Sequence, residues 1–242
     1  MVKMSIRPDA MANHINKLCF EWEKAGLVLS SNSTVVKQNG EGRSLVTWKE
    51  EGGALKNNDF STLSEYLMLL KYSQYTMVLY DGSILQISYK IKRNEIIGHR
   101  LCWFPSPLEI DEGQNVEDII YNIHESLSSN TNLLEEYLTN PQLNSEINLN
   151  KFYHRSPIRF DYDIMPNERK DKHPDVHLHI SIEDCRIPVK GPLCLRRFMA
   201  FIVENFYPHL PIEGSLVNDL PSWFSNDMLT NYHRSKFHLQ SL

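Results

Sequence analysis

Two short alternating segments constrain this chain more than anything else in it. The first reads I-R-F-D-Y-D-I from Ile158 to Ile164, and the second H-P-D-V-H-L-H-I-S-I from His173 to Ile182. A period of two is that of a strand with one face in a core. Ile158, Phe160, Tyr162 and Ile164 fall on one face of the first segment, and Val176, Leu178, Ile180 and Ile182 on one face of the second. Arg159, Asp161 and Asp163 are then left on the opposite face, beside His177, His179 and Ser181 of the neighbour. Paired as a hairpin, the two segments bring a cation, two carboxylates and two imidazoles onto one surface.

The chain has 242 residues, 41% of them hydrophobic and 23% charged. That is the composition of an ordinary globular protein, long enough to bury a sizeable core. The formal net charge of -5 argues against a protein coated in basic charge, but it leaves room for a local basic patch that meets nucleic acid. None of the four cysteines (Cys19, Cys102, Cys185, Cys194) forms a C-x-x-C pair, so a zinc ribbon is not expected. The chain reaches Asp9 without an apolar stretch, and no run approaches the roughly 20 residues that span a bilayer. The expectation is a cytoplasmic protein with reduced thiols and no membrane partner. Cys185 and Cys194 read as small buried residues rather than nucleophiles. Walker, G-x-G-x-x-G and G-x-S-x-G patterns are absent, which disfavours nucleotide hydrolysis, dinucleotide binding and serine hydrolase chemistry.

Along the chain, Pro8 to Leu27 predicts a helix with Met11, Ile15, Leu18, Cys19 and Trp22 at helical spacing and Gly26 as its stop. Short strands are expected around Thr34–Lys37 and Ser44–Trp48. A second helix is expected over Ser61–Tyr72. Tyr75–Tyr80, Ile84–Lys92 and Ile96–Phe104 then read as an antiparallel meander with turns at D-G-S and R-N-E, ended by F-P-S-P. Val116 to Leu138 is amphipathic and helical, with a break near Ser128–Asn132. Residues 140–151 are polar and loop-like. The hairpin follows, then a helix over Leu193–Tyr207, and a last helix in the tail burying Trp223, Phe224, Met228, Leu229 and Tyr232. The class is α+β, a mostly antiparallel sheet flanked by helices, as a single domain over 1–242 or one subdivided near 140–151.

The polar face supports three readings, and the sequence leaves them open. Asp161, Asp163, His177 and His179 can converge on a divalent cation, since side chains two apart on a strand project the same way and paired strands lie about 5 Å apart. Mixed imidazole and carboxylate sets suit zinc, manganese or iron and serve hydrolysis. His173 and Asp175 lie at the mouth of the same hairpin. Alternatively, the two histidines act without metal as general acid and base on an RNA phosphodiester, with an aspartate orienting one of them. Arg159 would bind phosphate in either case, with Arg155, Arg186 and Lys190 as further candidates. Arg196 and Arg197, near a helix start, read as ordinary surface charge. In the third reading the face is a binding surface or a buried network in a non-catalytic subunit of a multiprotein assembly.

R-F-D-Y-D, H-P-D-V-H-L-H-I, C-R-I-P-V and the helix ending F-I-V-E-N-F-Y-P, with R-L-C-W-F-P-S-P upstream, resemble the family catalogued as domain of unknown function 2290. The resemblance is sharpest from Arg159 to Pro208. It implies a bacterial or archaeal intracellular protein and brings no activity with it. An Arg-aromatic-Asp strand ahead of a His-rich segment also resembles small toxins of the TumE type. The functional expectation is a hydrolase acting on RNA or another phosphodiester, as a toxin or defence effector. Its alternative is a non-catalytic partner in an operon-encoded complex.

Overall fold

The longest strands organise the sheet. β5 (Ile84–Lys92) and β6 (Glu95–Phe104) form an antiparallel hairpin whose two-residue turn places Arg93 and Asn94 at positive φ. That is the type I′ geometry, which matches the right-handed strand twist. The computed structural model describes residues 5–51, 62–108, 115–129, 155–164, 171–180, 184–210, 215–223 and 226–240. Among them, nine strands form one sheet in the order β1-β4-β5-β6-β7-β8-β9. β1 is Val28–Ser31, β4 Met77–Leu79, β7 Ile158–Asp163, β8 Val176–Ile180 and β9 Arg186–Pro188. β2 (Thr34–Gln38) pairs with β3 (Arg43–Trp48), and β3 pairs with β5 beyond the point where β4 leaves it. The strand pairings are antiparallel throughout, as expected for the α+β class.

Alternation divides the side chains between two faces. On the first, Leu85, Ile87, Leu101, Phe160 and Leu178 meet helices α1 (Pro8–Lys24) and α4 (Leu195–Phe206). Helix α1 begins with proline at its first turn, where the missing N–H costs nothing. It buries Met11, Ile15, Leu18 and Trp22 at helical spacing and ends ahead of Gly26 at φ +71°. Helix α4 presents Phe198 edge-on to Phe160, ring centroids 6.4 Å apart. On the second face, α2 (Thr62–Lys71) and α3 (Val116–Ser129) bury Tyr66, Leu67, Leu70, Ile120 and Ile123 against Val78, Ile84, Cys102 and Phe104. Among the described residues that cover lies over one end of the face, and the other end carries the polar residues.

The expected meander and hairpin are present with boundaries shifted by a few residues. Several elements differ. β1, β9 and the short helix α5 (Ser215–Asn218) were not anticipated, because each is too short to show a period. Helix α4 starts at Leu195, not Leu193: Cys194 is its N-cap, and its sulfur accepts from the Arg197 N–H. The tail does not form the expected helix over Trp223 to Tyr232. Among the described residues there, only α6 (Asn231–Arg234) is helical, and it buries His233 while Tyr232 is exposed. Backbone pairing took the place of a helix. Met228 N–H donates to Lys190 O, Lys190 N–H to Leu239 O and Leu239 N–H to Pro188 O, strapping the tail along the exit of β9. Residues 140–151 lie outside the described residues; β6 and β7, on either side of them, are paired neighbours. The four cysteines form no disulfide. No described helix is long and apolar enough to cross a membrane.

Phe160 is fully buried between Phe198 and Phe201. Phe160→Ala should therefore lower the unfolding free energy by about 3–5 kcal/mol in urea denaturation. Phe237→Ala, at a side chain 74% exposed, should change it by less than about 0.5 kcal/mol.

Candidate metal centre

Strand register builds the polar end of the second face as two rows. Cys102, Arg159, His179 and Arg186 stand side by side across β6, β7, β8 and β9, and Arg100, Asp161, His177 and Pro188 form the next row. At the middle of this grid, Asp161, His177 and His179 each offer a ligand atom, and all of these lie within 4.8 Å of one another. His177 and His179 are only 2% and 3% exposed, so Asp161 is the member nearest solvent.

Local contacts fix the orientation of each group. His177 Nδ1 is 2.8 Å from Pro174 O. A carbonyl only accepts, so Nδ1 carries the proton and donates, and the neutral ring turns a bare Nε2 inward. Pinning one imidazole nitrogen on a backbone carbonyl is how metal-ligating histidines are commonly held. His177 Nε2 and His179 Nε2 are 2.8 Å apart, and His179 Nε2 is 3.5 Å from Asp161 Oδ2. Nitrogen ligands about 2.0–2.1 Å from a tetrahedral zinc ion stand roughly 3.3 Å from one another. The His179–Asp161 spacing is close to that value, whereas the two imidazole nitrogens stand at hydrogen-bond distance and would part by about half an ångström to admit such an ion, which three protein ligands would leave with an open position.

Electrostatics suits the same role. Burial pushes the His177 imidazole down to about 4, against the pull of Asp161. Burial, with the nearby Arg159 charge, pushes His179 down to about 3. Both rings are therefore neutral at pH 7, the state in which imidazole binds metal. Burial drives the Asp161 carboxyl up, but Arg159 and Arg100 outweigh it and hold the group below the usual carboxylate range. Arg159 Nε lies 2.9 Å from Oδ2, and Arg100 Nε donates to Oδ1 at 3.4 Å.

The structure sorts the other candidates. Asp163 is exposed at the end of β7 and pairs with Lys90 at 3.3 Å, so it stands apart from the cluster. His173 packs its ring on His177, centroids 4.8 Å apart. Asp175 is buried, and its carbonyl accepts from Asp163 N–H. Arg159 and Arg186 flank His179, and Arg186 also pairs with the exposed Asp184. Arg155 is exposed ahead of β7. Lys190 belongs to the strap at the exit of β9, where its charge acts on Asp227. Arg196 and Arg197 sit on α4, across the sheet from the cluster. Ser181 lies outside the described residues.

Two charged residues that act on the groups of the grid were missed in the sequence. Arg100 occupies an alternating position of β6, yet only the pairing with β7 puts it beside Asp161. Glu65 is on α2, where helical spacing gives no hint that it approaches the sheet. Burial pushes its carboxyl up to about 7 against the pull of Arg159 and Arg100.

Residues 27–241 match the family described as Uncharacterized conserved protein (DUF2290). The chain belongs to this family. No curated protein and no solved structure matches it. The DUF2290 match spans β1 through the tail strap, and so takes in every strand that builds the polar grid.

Buried neutral imidazoles predict how this DUF2290 chain responds to acid. An unfolded histidine titrates near 6.5. Between that value and about 4 the unfolded chain binds protons at His177 and His179 that the folded chain does not, so stability falls as pH drops across this window. His99, pushed by burial to about 4, acts in the same direction. Asp161 adds its own loss as pH falls further, through its depressed folded value. Glu65, pushed up to about 7, takes its proton first in the folded chain and opposes this trend between pH 7 and its unfolded value, but it is one group against three imidazoles. Urea midpoints at pH 7, 5.5 and 4.5 should still fall, and the slope should be shallower in a His177→Gln/His179→Gln variant. An unchanged slope would mean that the pair titrates as exposed histidines do.

Proposed function

We propose that Asp161, His177 and His179 hold a divalent cation, zinc or manganese, and that the protein hydrolyses a phosphodiester, RNA being one candidate. The convergence of three ligand atoms from two adjacent strands carries this reading. The bound cation would supply Lewis acidity and an activated water at its open position. Arg100 and Arg159, both reaching the Asp161 carboxylate, would bind the phosphate oxygens and offset the charge that grows on them. Asp163 has no ligand role in this scheme.

The burial of His177 and His179 favours a second reading. The direct contact between their Nε2 atoms can serve as a polar network inside a non-catalytic protein. Elemental analysis separates the two. The metal-centre reading expects about one equivalent of zinc or manganese after loading and dialysis, lost in His177→Ala/His179→Ala and weakened in Asp161→Asn. Asp163→Asn should keep the wild-type content. Loaded protein should hydrolyse bis(p-nitrophenyl) phosphate, and the double variant should not. Absence of metal and turnover from the wild-type protein would leave the network reading.

A further inference from the structure

β9 is short, but its three residues alternate as those of any strand do. Ile187 falls on the core face opposite Leu178, which leaves Arg186 and Pro188 to the second face, opposite His179 and His177. Arg186 is therefore the one cation that β9 brings to the polar grid. Side chains paired across antiparallel strands stand about 5 Å apart at Cβ, so Arg186 adjoins His179 on the side away from Arg159. Like Arg159, it is mostly buried. Its charge is felt at both imidazoles, which it helps to keep neutral. Its Nη1 meets Asp184 at 3.2 Å, but that carboxylate is 93% exposed. An ion pair with so exposed a partner contributes little and yields readily to a phosphate, whose oxygens match the guanidinium fork.

Among the described residues, three guanidiniums thus cross the grid: Arg100 on β6, Arg159 on β7 and Arg186 on β9. The histidines lie on β8, between the last two. Asp161 engages Arg100 and Arg159 from its own side of the histidines, and Arg186 stands on the other. Backbone positions on β7 and β9 are two strand spacings apart, about 10 Å. A phosphate at the centre formed by Asp161, His177 and His179 can be met by Arg100 and Arg159, while Arg186 faces whatever continues beyond it. The grid also concentrates positive charge in a chain whose net charge is -5, the kind of local patch that a polyanion needs.

We propose that Arg186 selects the substrate by binding the phosphate next to the one cleaved, so that the substrate is a nucleic-acid strand lying across β7, β8 and β9 rather than an isolated diester. This rests on the phosphodiesterase reading above. A nucleic-acid strand is a polymer in which each internal phosphodiester has such a neighbour. Arg186 takes no part in making or breaking bonds; it sets which phosphodiesters reach the centre.

The test gives the manganese-loaded full chain dinucleoside monophosphates of uridine and of thymidine, each bare or with one added phosphate at its 5′ or 3′ end. Wild type, Arg186→Met and Arg186→Lys are compared, with metal content and melting temperature measured for each. In wild type, a phosphate added at one of the two ends should raise kcat/KM about tenfold or more, the scale of a hydrogen bond to a charged group. Arg186→Met should bring the ratio between phosphorylated and bare substrates close to one, and Arg186→Lys should keep part of it. On a longer uridine oligomer, the slope of log KM against log salt should become shallower by about 0.7 in Arg186→Met, one phosphate contact having been lost. A wild type without the preference, or a preference that survives intact in Arg186→Met, would overturn the proposal, and hydrolysis of the bare substrates would leave the metal centre standing. A wild type that hydrolyses none of these compounds and no bis(p-nitrophenyl) phosphate would overturn both. If Arg186→Met fails to fold, Arg186→Gln is read by the same ratio, and a wild-type ratio of one overturns the proposal without any variant.

Discussion

The pairing of β7 with β8 is the constraint on which the rest of the site depends. Because side chains alternate, one register sets Phe160 beside Leu178 on the core face and Asp161 beside His177 on the other. A slip by one residue would send the phenylalanine to the polar side and a carboxylate into the core. The packing of Phe160 against Phe198 and Phe201 thus fixes the positions of Asp161 and the histidines as firmly as any contact among them. Core and site are two faces of the same strand alignment.

Charges at the grid hold one another in place. Asp161 meets two guanidiniums, one largely exposed and one mostly buried. Desolvation works against each ion alone, and only the mutual attraction offsets it. The imidazoles respond to the same burial by staying neutral. One environment therefore produces an ionised carboxylate, two uncharged nitrogens facing each other and, at the border, a carboxyl on α2 poised between its two states. Charged chemistry concentrates here although the chain as a whole is mildly acidic.

How much of this was legible in the sequence follows from the length of each signal. β5, β7 and β8 announce themselves by alternation and β6 by an apolar run that follows a tight turn, and the common face of Asp161, His177 and His179 follows from parity alone. Asp163 shares that parity but sits one row further out, beside Gly98, where Lys90 meets it. Parity states a face and not a place on it. Arg100 and Glu65 reach the grid through pairing and packing between segments far apart in the chain, which no local period encodes. β1 and β9 are held by their neighbours rather than by their own pattern. The tail lost its expected helix to hydrogen bonds with Lys190 and Pro188, a competition decided by tertiary structure.

The connection from β6 to β7 has a kinetic consequence. β5 and β6 are joined by two residues and can pair as soon as both exist. By contrast, β6 ends at Phe104 and β7 begins only at Ile158. Closing that interval costs chain entropy before any pairing compensates for it, and distant contacts of this kind slow folding. On a ribosome the first half of the sheet emerges with the β6 edge unpaired, presenting Arg100 without Asp161. The strands that bear the aspartate and the histidines can add only to that edge, so the polar grid takes shape only after the later half of the chain has been made.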